Sequence, residues 1–97
     1  MLATIALEAP SWLTATAMGD GTVDLQWATS ASAASRDVGY AVLRRQTGAS
    51  SFLEIARTSA VTFTDAPAPA SYDYAVRTVI STFSSADSPL AYVDTRP

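Results

Sequence analysis

Turn-forming residues recur so closely along this 97-residue chain that they leave room for short strands and little else. Gly19-Asp20-Gly21, the Ser/Ala-rich stretch Thr29 to Asp37, Gly48 with Ser50 and Ser51, Ala66 to Ala70, and Ser84 to Pro89 punctuate it at short intervals. A helix of about 10–12 residues with an apolar stripe fits nowhere between them, although alanine-rich Thr29 to Ser35 has the composition for one turn.

The segments between the turns have a period of two. Val23, Leu25 and Trp27 alternate with Asp24 and Gln26, the pattern of a strand with one buried face. Tyr40, Val42 and Arg44 alternate in the same way with Ala41, Leu43 and Arg45, as do Tyr72, Tyr74 and Val76 with Asp73, Ala75 and Arg77. Both runs are rich in side chains that suit a pleated surface. About seven such strands in a chain of this length predict an all-β fold, a seven-stranded antiparallel β-sandwich. Pro67 and Pro69 remove two backbone donors, so Ala66 to Ala70 reads as a stiff crossing between sheets. Their spacing is too close for a PxxP ligand.

In order and spacing these segments resemble a fibronectin type III domain, in particular those of bacterial secreted and cell-surface proteins. Pro10, Leu13 and Ala15 are similar to that family's first strand, and Val23 to Trp27 to its second, whose tryptophan marks the core. Gly39 to Arg44 is similar to the third strand, Phe52 to Ala56 to the fourth and Val61 to Asp65 to the fifth. Tyr72 to Val76 resembles the sixth, with Tyr72 at the tyrosine-corner position, where the phenol bonds back to the backbone. Ser84 to Leu90 fits the last turn and Ala91 to Thr95 the final strand. The resemblance implies an immunoglobulin-like sandwich over residues 10–97, with residues 1–9 as an N-terminal extension or linker remnant. Trp27, Tyr40 and Tyr72 are its expected core markers.

Composition narrows the chemistry. The chain has no cysteine and no histidine, so disulfides, thiol nucleophiles, imidazole bases and cysteine–histidine metal sites all lack their parts. Six arginines, no lysine and a net charge of −3 give no basic surplus for phosphate, so nucleic acid is not an expected partner. Asp24, Asp73 and Glu54 fall on outward strand positions where nothing raises a carboxyl pKa. Asp20, Asp37, Asp65 and Asp87 lie in or beside loops without an EF-hand spacing, and Asp65 is placed to bond the backbone of the crossing it opens. No catalytic residue, cofactor or metal is therefore expected.

No apolar run approaches the roughly 18 residues of a membrane span, and Met1 does not lead into a signal-peptide pattern. The resemblance still implies an extracellular or cell-surface setting. Abundant alanine with arginine as the sole basic residue suggests a GC-rich bacterial source.

What remains for function is a surface. Trp12, Leu43 and Phe83 fall outside the core pattern, while Arg45 and Arg77 point outward on the same sheet as Leu43. These five form the candidate interaction surface; a neighbouring domain or another protein is the expected partner, and cross-strand ion pairing with Asp73 or Glu54 is the purely structural alternative. A carbohydrate-binding module would need two coplanar exposed aromatics, for which Trp12, Phe83 and Tyr92 are available. Self-association through the first or last strand, or through apolar Leu2 to Leu7, is a third possibility.

Overall fold

Residues 8–30, 38–80 and 83–96 are described here, from a computed structural model. The apolar stretch Leu2 to Leu7, the stretch of possible helical turn from Ala31 to Ser35, and Asp37 lie outside them. The alternating runs form strands β1 (Leu13–Ala17), β2 (Val23–Trp27), β3 (Gly39–Gln46), β4 (Leu53–Thr58), β5 (Thr62–Asp65), β6 (Ser71–Ile80), β7 (Phe83–Ser84) and β8 (Ala91–Asp94). There is no helix among the described residues.

All pairings are antiparallel and make two sheets. The first has the order β1-β2-β5. In the second, β4 pairs β3 and β3 pairs β6, whose far edge is taken by β7 and β8 in turn. Because β7 and β8 share that edge, they are two parts of one interrupted strand, and the sandwich has seven strand positions. The β1–β2 hairpin turns at Gly19 and Gly21, both at positive φ (78° and 93°), where only glycine is free of a Cβ penalty. Asp20 between them accepts from the Thr22 amide and hydroxyl and fixes the turn.

The inward positions fill the space between sheets. Leu13, Val23, Leu25, Trp27, Tyr40, Val42, Tyr72, Tyr74, Val76, Ala91 and Val93 make one buried cluster, with Ile55 and Phe63 packed against it. Trp27 meets Tyr40 edge-on, ring centroids 5.7 Å apart. That T-shaped contact suits the ring quadrupoles. The Trp27 indole N–H has no hydrogen-bond partner among the described residues, so there the ring contributes through packing and its contact with Tyr40.

Two serines mend the ladder where β7 and β8 leave a gap. The Ser85 amide donates to the Thr78 carbonyl, while the Ser85 hydroxyl accepts from the Thr78 amide at 2.9 Å. Ser88 repeats the device on Val76, its amide donating at 2.9 Å and its hydroxyl accepting at 3.0 Å. Each side-chain oxygen stands where a regular strand would offer a carbonyl, so no buried amide of β6 is stranded there.

At the other end of the chain, the Glu8 carbonyl accepts from the Ser30 and Thr78 hydroxyls, and Tyr40 Oη accepts from the Ser30 amide. Glu8 is thus bonded to the sandwich through β6, and Pro10 after it is buried.

Trp27→Ala should cost about 3–5 kcal/mol in chemical denaturation, as for other large aromatics removed from a core. Trp27→Phe should cost less than half of that, since no hydrogen bond is lost; equal losses would show that the indole N–H is paired.

Candidate interaction surface

Strand parity divides four of the five candidate residues between two faces. Leu43, Arg45 and Arg77 share the outer face of the five-stranded sheet, as their pairings with Ala75, Asp73 and Ala41 require. Trp12 does not join them. Its carbonyl accepts from the Ala28 amide, which extends the β1–β2 ladder by one pair, and it alternates with inward Leu13 onto the outer face of the three-stranded sheet. Phe83 pairs with Ile80 at the β6–β7 turn, and its side chain lies outside the described part.

Leu43 requires a correction: it is 4% exposed and offers nothing to a partner. Ala41 and Ala75 beside it are also buried. The physical reason is a layer of ion-paired side chains over this face. Arg45 Nε donates to Asp73 at 2.9 Å, and its guanidinium lies over the Phe52 ring, 4.6 Å from the centroid. Arg77 is paired with Asp87 across the β6 edge. Arg57 holds Glu54 through two bonds of 2.8 and 3.2 Å. Residues three apart in a regular strand face opposite ways, but a bulge in the β3–β4 pairing between Val42 and Leu43 returns both to one face. Arginine and glutamate stems running across the sheet then cover the small and branched residues beneath them.

Ion pairing thus accounts for both candidate arginines, Arg45 with the expected Asp73 and Arg77 with Asp87 in place of Glu54. Each such half-exposed pair stabilises by at most about 1 kcal/mol. The five described arginines, Arg44, Arg45, Arg57, Arg77 and Arg96, all have a carboxylate partner. Among the described residues, the large apolar side chains that do remain exposed are Trp12, Met18, Leu53, Leu90 and Tyr92. Of these, Trp12 and Tyr92 lie on opposite outer faces, so they cannot form a shared aromatic platform.

The inner face holds a cluster that the spacing of its members hid. Asp65 accepts from Arg44 Nη1 and from Tyr74 Oη, both at 2.7 Å, and the Arg44 guanidinium sits 5.3 Å from the Tyr72 ring centroid. Asp65 therefore ties the start of the crossing to β3 and β6 through side chains, where a backbone bond was expected. Tyr72 Oη donates to the Ala68 carbonyl at 2.5 Å, so the tyrosine corner clasps the middle of the Ala-Pro-Ala-Pro-Ala crossing. Among the described residues no group of three acidic side chains converges as a metal site would require.

This fold has counterparts among solved structures. A Fn3-like protein from Clostridium thermocellum matches with a TM-score of 0.77 at 25% identity, covering 96% of each chain. FN3tt matches with a TM-score of 0.75 at 18% identity, covering 96% of this chain and 98% of that one. Domains A168–A170 of titin match at 0.79 and 19% identity, covering 95% of this chain, which spans about a third (33%) of that titin segment. No family model and no curated protein matches the sequence. The chain has the immunoglobulin-like β-sandwich of a fibronectin type III domain.

Burial pushes the Tyr74 phenol well above its ordinary value of 10, and the bond to negatively charged Asp65 adds in the same direction. The folded state thus favours the neutral phenol. The stability this gives is complete below the unfolded value of about 10 and is lost as pH rises above it. Denaturation midpoints should fall more steeply above about pH 10 in the parent chain than in Tyr74→Phe. Parallel declines would show that Tyr74 ionises as a free tyrosine does.

Proposed function

We propose that the chain is a non-catalytic module of a larger bacterial secreted or surface protein, serving as a spacer and a site of contact. The observation that carries this reading is where the chain enters and leaves the sandwich. Glu8 is bonded at Thr78, near one end of β6, while the Thr95 amide donates to the Ala70 carbonyl just before its other end. Ala70 and Thr78 are separated by extended strand, about 26 Å at 3.3 Å per residue. Segments before and after the sandwich would be held that far apart by a rigid body.

The rest of the molecule supports the same reading. The outer side of the five-stranded sheet carries the ion pairs Arg45–Asp73, Arg57–Glu54 and Arg77–Asp87. The Clostridium thermocellum likeness, which covers 96% of each chain, is consistent with a bacterial module of this kind.

An antibody raised against the chain should detect it in the extracellular or surface fraction of the native organism, in a polypeptide larger than 10.2 kDa. A cytoplasmic band at 10.2 kDa would overturn the proposal.

A further inference from the structure

The outer face of the three-stranded sheet differs chemically from its counterpart on the other side. Register places Thr14, Gln26 and Thr62 in one row across β1, β2 and β5, and Thr16, Asp24 and Thr64 in the next. Trp12 stands at the end of the β1 column with 47% of its surface exposed. Shallow troughs run on either side of the β2 column, one lined by Asp24, Gln26, Thr62 and Thr64 with Leu25 and Phe63, the other by Thr14, Thr16, Asp24 and Gln26 with Met18 at its end.

No arginine occupies these rows, and the single carboxylate, Asp24, accepts from the Thr64 hydroxyl at 3.2 Å. We infer that this face binds a neutral polysaccharide without an aromatic platform: Trp12 stacks on one sugar ring, and the Thr14–Gln26–Thr62 and Thr16–Asp24–Thr64 rows, in place of a second coplanar aromatic, bond its hydroxyls. The inference rests on the reading of the chain as an extracellular module and names the partner that module contacts.

Three occupants compete for such a face, and its chemistry separates them. A protein partner anchors through an aromatic set among other apolar groups that exclude water, whereas Thr14 and Thr16 separate Trp12 from Met18, the other exposed apolar side chain along its column. A phosphorylated or otherwise anionic polymer needs cations, and the five described arginines, Arg96 near the β1–β2 turn included, are all bound to carboxylates. A neutral sugar chain presents an apolar ring face to the indole and hydroxyls along its edge, and a hydroxyl, an amide and a carboxylate together both donate and accept. The patch runs about 13 Å from Trp12 to Thr16 and about 10 Å across the three strands, enough for a short oligosaccharide lying flat.

Native affinity electrophoresis tests this, with gels containing xyloglucan, mixed-linkage β-glucan or glucomannan as neutral polymers and polygalacturonate as the anionic one. At least one neutral polymer should retard the chain. Trp12→Ala and Gln26→Ala, both at exposed positions, should each weaken that retardation about tenfold or more. Tyr92→Ala, on the opposite face, should leave it unchanged. Retardation by polygalacturonate alone, by no polymer, or equally in the Trp12 and Gln26 variants would overturn the inference. Cell fractionation reads the underlying proposal separately, so an extracellular chain that no polymer retards would sink the ligand and leave the module.

Discussion

Everything in this sandwich hangs on giving both edges of β6 a partner. This ten-residue strand runs the length of the domain with β3 along one side, and a buried strand with an unpaired edge is costly at every free amide. The other side is met by two short strands and, between them, by two serine hydroxyls acting as carbonyls. The same strand supplies Tyr72 for the crossing, Tyr74 for the Asp65 cluster and Thr78 for the Glu8 carbonyl. Core, crossing and chain entry are therefore coupled through one element, and disturbing it is felt at both ends of the molecule.

The two faces of the sandwich divide the labour. On the five-stranded side, arginines and carboxylates satisfy one another and roof an apolar stripe, so charge is used there for covering. On the three-stranded side, threonine, glutamine and one carboxylate hold the outward positions of the strands, and among the described residues no guanidinium lies over the exposed indole. Net charge alone could not reveal this division. It follows from which strands carry arginine at outward positions, β3, β4 and β6, and which carry threonine, β1 and β5.

How much of this was legible depended on whether the signal was local. Val23, Leu25 and Trp27, like Tyr40 and Val42, announce their inward direction by alternation, because a period of two is a property of the strand itself. Leu43 was misread because alternation tells which face a residue occupies and nothing about what lies over that face; the roof comes from β3, β4 and β6 together. Ser85 and Ser88 sit in a stretch that reads as a turn, since no periodicity marks a hydroxyl replacing a carbonyl. Asp65 finds Arg44 across 21 residues of sequence, and Trp12 and Tyr92 part company only once the sheets are assigned.

The bulge that brings Glu54 and Arg57 together has a second effect, on the outside world. β4 is the terminal strand of its sheet, and it carries Leu53 with 66% of its surface in water. A flat strand in that place would invite another polypeptide to continue the ladder. The extra residue breaks the even spacing of its outward amides and carbonyls, and the charged pair of Glu54 and Arg57 straddles the break. In a crowd of identical modules, this irregularity helps to keep one sandwich from being zipped onto the next.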